Sequence, residues 1–457
     1  MSPPSLVRWA SLFVLGMTAS QVSAIATISA VGAKFFNSSS GDQFYIKGVA
    51  YQLTDDDPLV DEDQCKLDAA LMQELGANTI RVYHVDPNEN HDGCMSAFAD
   101  AGIYLFVDLE TYNTSISQSA PEWDSKLLDS YEKVLDTFQV YDNLAGVFVG
   151  NEVLTTANGS WAAPYVKAAA RDVKAYRDSK GYREIPVGYA AADIAELRPM
   201  LQDYMACSTN SSEDLDFFSL NAYEWCGDNT YEGSGYSELQ KNATGYSIPI
   251  FFSEDGCNTS PPRTFEDQSA IFGDEMADTW SGAIIYEWIQ VANGYGLISY
   301  GPSVSATATG SDISDGFTVK GTPTPISPDF SNLKSVWATL TPTGVALSDY
   351  TASASTITPL ACPAETSGVW NVDPSAALPT LGQAATVSDS ASATGSGSSS
   401  SGSGTSSGSS ASSTASSSKG AAAAGIVSPG AGLLGSTNAV AIYGTLVAFT
   451  GFMAWWL

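Results

Sequence analysis

Histidine and positive charge are scarce in this chain of 457 residues. Only His84 and His91 occur, and no two of the cysteines form a CxxC pair. Structural zinc sites are built from closely spaced Cys and His ligands, so no metal is expected here, and no other cofactor either. Lys and Arg total 19 against 50 Asp and Glu, a formal net charge of -31. So acidic a surface repels phosphate backbones and anionic lipid, which removes nucleic acid from the candidate partners and leaves a neutral polymer among them. Long apolar runs are also missing, except at the two ends.

Residues 1–24 contain Arg8, the run "WASLFVLGM" and the small-residue pattern Val22-Ser23-Ala24. This reads as a secretory signal peptide cleaved after Ala24. The last residues, Ala439 to Leu457, are apolar and uncharged, and follow small residues around Ala424 to Ser428 and a spacer. That arrangement suits a glycolipid (GPI) anchor signal over 425–457, removed on maturation, better than a retained span. Residues 372–424 are rich in Ser, Gly and Ala, most strongly from about Thr386 to Lys419. A segment with no apolar face cannot offset its ordering entropy, so a disordered stalk is expected.

The cysteines, Cys65, Cys94, Cys207, Cys226, Cys257 and Cys362, are even in number in a chain read as secreted. Disulfides are expected, and six cysteines leave fifteen pairings open. Sequons at Asn37, Asn113, Asn158, Asn210, Asn242 and Asn258 agree with a glycoprotein.

Between the ends, short apolar runs alternate with helical patterns. The runs lie at 46–52, 78–83, 103–109, 144–152, 185–190, 215–223, 248–254 and 282–288. Helical spacing appears at 64–76, where Leu67, Ala70, Leu71 and Leu75 share a face and Gly76 stops the turn, and again at 125–141 and 163–179. Eight near-continuous apolar strands, each followed by a helix or long loop, predict an α/β fold, a (β/α)8 TIM barrel over residues 25–340. The segment "AKFFNSSSGDQFYI" before the first strand predicts a hairpin capping the barrel floor, with its turn at Ser-Gly-Asp.

Barrel enzymes place their chemistry at the C-terminal strand ends. Here those ends carry Gln52, Tyr83, Asp108, Asn151 with Glu152, Asp193, Tyr223, Glu254 and Tyr286. The ends of strands four and seven face each other across a closed barrel, which brings Glu152 toward Glu254. Two carboxyl groups about 5 Å apart suit retaining cleavage of a glycosidic bond, one as acid/base and the other as nucleophile. Asn151 is placed to bond the sugar hydroxyl beside the reacting carbon. Tyr83, Tyr223, Trp225, Tyr286 and Trp288 serve either as packing or as platforms for sugar rings.

The ordered motifs "FYIKGVAYQ", "NTIRVYHVDP", "VGNEV", "NAYEWCG", "FSEDGCN" and "IIYEW" resemble those of glycoside hydrolase family 72, the fungal cell-wall β-1,3-glucanosyltransferases, over most of residues 27–340. The resemblance implies Glu152 as acid/base and Glu254 as nucleophile, with sugar contacts from Tyr83, Asn151, Asp193, Arg198, Tyr223 and Tyr286. It implies disulfides Cys65–Cys94, Cys226–Cys257 and Cys207–Cys362, the last tethering an extension at 341–371 back onto the barrel. It also implies β-1,3-glucan as donor and acceptor, and a place at the outer face of the plasma membrane and in the cell wall. Two departures stand out. Asp255 occupies the position after the nucleophile where an aromatic is expected, and strand alternation predicts that it points away from Glu254. No cysteine follows Cys362, so a cysteine-rich glucan-binding module is not expected. The rival readings are an endo-β-1,3-glucanase, in which water intercepts the intermediate, and a non-catalytic glucan-binding wall glycoprotein.

Overall fold

A computed structural model describes residues 25–385, apart from Tyr112, Thr209, Thr309 and Ser311. The expected signal peptide, most of the stalk and the anchor signal lie outside the described residues. The chain opens with β1 (Ile28–Val31) and β2 (Lys34–Asn37), an antiparallel pair turning at Gly32, whose φ of 55° suits glycine. The regular hairpin thus sits one turn earlier than expected. The Ser-Gly-Asp turn only returns the chain through a single bridge between Phe36 and Gln43.

Eight parallel strands follow, interrupted by one short strand outside the barrel: β3 (Ile46–Ala50), β4 (Thr79–Val82), β5 (Tyr104–Asp108), β6 (Glu122–Trp123), β7 (Leu144–Asn151), β8 (Val187–Ala192), β9 (Phe217–Ala222), β10 (Ile250–Asp255) and β11 (Trp280–Ile285). All but β6 close into one barrel, with β11 pairing back onto β3. The fold is a (β/α)8 barrel. Its strands are buried on both faces, which is why they read as continuous apolar runs.

Phenylalanines fill the barrel's centre. Phe35, sent up from β2, meets Phe106, Phe217 and Phe251 at centroid distances of 6.0, 5.9 and 6.0 Å. Gly146 and Gly188 make room for this layer: a Cβ at Gly188 would lie 2.3 Å from the Phe217 ring, and one at Gly146 would lie 2.7 Å from Phe106. The floor is therefore plugged, and the open end is the C-terminal one.

The outer helices include α1 (Glu62–Leu75), α2 (Asp92–Asp100), α3 (Ser125–Phe138), α4 (Ala163–Ser179), α5 (Arg198–Met205), α6 (Tyr236–Ala243), α7 (Asp267–Ile271), α8 (Asp329–Thr339) and α9 (Leu347–Ala354). Asp61 and Asp124 cap α1 and α3 by accepting backbone N–H groups, and Gly76 ends α1 at φ 94°. The face that α1 buries differs from the leucine stripe. Cys65, Asp68, Ala69, Met72 and Leu75 turn inward, while Leu67 is 43% exposed. The cause is polar: Tyr51 and Tyr300 hydroxyls and the Trp288 indole N–H all donate to the Asp68 carboxylate, and this network fixes the rotation of the helix. Trp288 is accordingly a core residue, fully buried, and not part of the rim.

The cysteines pair as Cys65–Cys94, Cys207–Cys362 and Cys226–Cys257. Past Cys362 the chain keeps packing beyond residue 371, where composition alone starts the stalk. Trp370 and Val372 are buried, Trp370 lies edge-on to Tyr204 at 5.4 Å, and Gln383–Ala384 pair antiparallel with β6. Arg171 on α4 adds a bond to the Pro379 carbonyl at 2.9 Å. The extension therefore runs at least to residue 385, because a few apolar and backbone groups in a small-residue segment find partners on the barrel.

Candidate active site

Arg81 on β4 organises the mouth. A lone arginine in an apolar strand is costly to bury unless its charge and donors are matched. Its Nε and Nη2 grip the two Asp108 oxygens at 3.1 and 2.9 Å. Nη2 also reaches the Asn151 Oδ1 at 2.9 Å, and Nη1 approaches the Glu254 Oε1 at 3.5 Å. The guanidinium lies 4.4 Å from the ring centroids of both Phe148 and Tyr83, so it forms the lid of the phenylalanine layer and the base of the site.

Above it stand the two glutamates. Glu152 follows β7 with φ 50°, a left-handed conformation unusual for a side chain larger than glycine, and its N–H donates to the Ala190 carbonyl at 2.8 Å. The Asn221 amide nitrogen donates to the Glu152 Oε1 at 2.9 Å and to the Asn151 Oδ1 at 3.0 Å, while the Asn221 Oδ1 accepts from Ser253 Oγ at 2.8 Å and Arg81 Nη1 at 3.4 Å. Glu254 lies on β10, and its Oε2 accepts the Tyr223 hydroxyl. The 102 positions between the glutamates thus collapse to one continuous polar network. Burial pushes the Glu254 carboxyl up to about 7; Arg81 opposes the rise, the Glu152 charge adds to it, and the Tyr223 and Tyr83 hydroxyls oppose it.

Aromatic rings wall the mouth. The Tyr286 ring meets Tyr223 at 6.2 Å and Tyr295 at 5.4 Å, both edge-on. The Tyr83 hydroxyl is buried beside the Glu254 carboxyl, which it helps to hold in the ionised form. Asp193 and Arg198 are bonded to each other, with Arg198 also 3.6 Å from Glu224, the residue after Tyr223. Asp108 has the role just given, and Gln52 accepts the Tyr83 and His84 N–H groups at 3.1 Å, bracing the loop after β3.

Asp255 points outward, away from Glu254. It accepts the Tyr236 hydroxyl at 3.1 Å and shares the Gln268 amide nitrogen with Asp267, each bond being 2.6 Å. Asn258 is half-buried, its amide donating to the Asn293 carbonyl at 2.5 Å. Arg81, Asn221, Glu110 and Tyr295 were not singled out from the sequence. The signal for the first two was a polar residue inside an apolar strand, "TIRV" and "FFSLNA". Among the described residues no Cys, His, Asp and Glu cluster could hold a metal ion.

A plugged barrel with two networked carboxyl groups and tyrosines at its open end defines a glycosidase-type site. The family described as Glucanosyltransferase, glycoside hydrolase 72, matches residues 17–313, and the chain belongs to it. The chain is 40% identical to the 1,3-beta-glucanosyltransferase PGA5 of Candida albicans over 350 residues, 72% of this chain and 52% of that protein. It is 39% identical to the 1,3-beta-glucanosyltransferase GAS2 of Saccharomyces cerevisiae, over 76% of this chain and 62% of that one. The chain thus spans only about half to two thirds of the length of these relatives. Among solved structures, a Saccharomyces cerevisiae Gas2p mutant in complex with laminaritetraose and laminaripentaose matches with a TM-score of 0.69 at 38% identity, covering 79% of this chain and 75% of that one.

Proposed function

We propose that the protein is a retaining 1,3-β-glucanosyltransferase that cleaves β-1,3-glucan internally and transfers the fragment to the non-reducing end of another glucan. The observation that carries the reading is the junction of Glu152 and Glu254 through Asn221 and Arg81 at one barrel mouth. Glu152 protonates the leaving glycosidic oxygen while the Glu254 carboxylate attacks the anomeric carbon, forming a glycosyl ester and releasing the reducing-side fragment. Glu152, now ionised, takes the proton from an acceptor sugar hydroxyl, which displaces Glu254. Arg81 and the Tyr223 hydroxyl favour the ionised nucleophile, against its burial. Tyr83, Tyr223 and Tyr286 face the sugar, and Asn151 bonds the hydroxyl beside the reacting carbon. Asp193, just after β8, and Arg198, at the start of α5, contribute an outer contact.

The relatives' names and the laminari-oligosaccharide complexes of Gas2p support the substrate class. The reading extends to a mature protein held at the outer face of the plasma membrane by a GPI anchor and acting on the cell wall. Among the described residues no helix is long and apolar enough to cross a membrane.

Glu152→Gln and Glu254→Gln, assayed for turnover of a reduced β-1,3-gluco-oligosaccharide and for its binding by calorimetry, test the assignment. Each variant should lose turnover by several orders of magnitude while affinity stays within a few-fold. Wild-type turnover in either variant would remove that residue from the mechanism, and a wild-type protein that binds without turnover would be the wall-binding glycoprotein instead.

A further inference from the structure

The strand that delivers Glu152 outruns its neighbour. Pairing between β5 and β7 ends at Asp108 opposite Phe148, whereas β7 continues to Asn151, and its register with β8 is irregular between Phe148 and Asn151. The Asn151 N–H therefore lacks a strand partner just before the left-handed residue that carries the carboxyl. Glu110, two residues past the end of β5, fills that gap: its Oε1 accepts the Asn151 N–H at 3.0 Å. Its Oε2 is buried without a partner.

From this geometry we propose that Glu110 is the positioning residue for the acid/base, standing in as a side-chain acceptor for the missing strand and fixing the Asn151–Glu152 turn. Burial first, and the neighbouring Asp108 second, push its carboxyl up to about 8, so it accepts the bond without adding a charge beside Glu152 at neutral pH. On the far side of the turn, the Ala190 carbonyl takes the Glu152 N–H and the Tyr189 hydroxyl takes the Leu154 N–H at 3.2 Å. Among the described residues Glu110 is the one acceptor of the Asn151 N–H on the near side, so removing it frees the turn to relax toward an ordinary backbone conformation and swings the Glu152 carboxyl from the leaving oxygen.

The proposal rests on the transferase reading for its rate effects but not for its structural one. A neutral isostere keeps the acceptor oxygen, so Glu110→Gln should turn over near the wild-type rate. Glu110→Ala, which lacks the acceptor, and Glu110→Asp, which is too short to reach, should lower kcat about tenfold or more with KM within about twofold. Amide hydrogen exchange of the 146–154 segment, read by mass spectrometry, should be faster in the Ala and Asp variants and unchanged in the Gln variant. Wild-type kcat and exchange in the Asp variant, or a Gln variant as impaired as the Asp one, would overturn the proposal. Should the Ala variant fail to fold, the Gln and Asp pair decides it. If the wild type itself shows no turnover, the transferase reading falls while the exchange comparison still judges Glu110.

Discussion

Arg81 and Glu254 show how single residues trade stability for a working site. Removing the arginine leaves Asp108 buried and unpaired, and an orphaned charge costs about 3–5 kcal/mol. Arg81→Leu should therefore unfold at markedly lower denaturant concentration than the wild type, followed by circular dichroism; a midpoint unchanged from wild type would mean that the network is not structural. Glu254 has the opposite sign. Its carboxyl, near 4.5 in an unfolded chain and pushed up to about 7 when folded, binds more protons in the native state between those values. Its contribution is fully favourable below about 4.5 and is lost as pH rises through about 7. Glu254→Gln should accordingly gain melting temperature over the wild type at pH 7.5, and the gain should shrink toward pH 4.5. A gain independent of pH would place the group in a more polar setting than the structure shows.

At the scale of elements, the barrel was legible because parallel strands covered on both faces must be apolar throughout. The runs at 144–152 and 248–254 became β7 and β10, and their order in the barrel brings Glu152 and Glu254 to one mouth. What composition did not reveal are contacts made by few residues. Asp68 draws α1 inward through three aromatic donors, and no periodicity of leucines reports that. Glu110 bonds one backbone group of β7, and Asn221 bonds Asn151, Glu152, Ser253 and Arg81, contacts across strands that spacing within one strand does not encode. The extension past residue 371 was hidden for the same reason: Val372 and the Gln383–Ala384 pairing are isolated features in a small-residue background. A chain ended at Asn371 should consequently melt a few degrees below one ended at residue 385, by scanning calorimetry, since it loses the strand pairing and the Arg171 bond to Pro379. Equal melting temperatures would mean that the segment after 371 contributes nothing to the fold.

For the whole molecule, a floor closed by Phe35 and its partners leaves the C-terminal mouth of the barrel open, and the net charge of -31 disfavours anionic ligands there. On the proposed reading a neutral polysaccharide meets carboxyl groups, amides and tyrosine edges at that entrance, and the product would depend on whether sugar or water reaches a glycosyl ester on Glu254. The most direct test is the product profile of the folded domain, residues 25–385, incubated with a single-length reduced β-1,3-gluco-oligosaccharide and read by mass spectrometry. Products both longer and shorter than the substrate are the predicted result. Shorter products alone, with one water consumed per cleavage, would contradict transfer and make the protein an endo-β-1,3-glucanase.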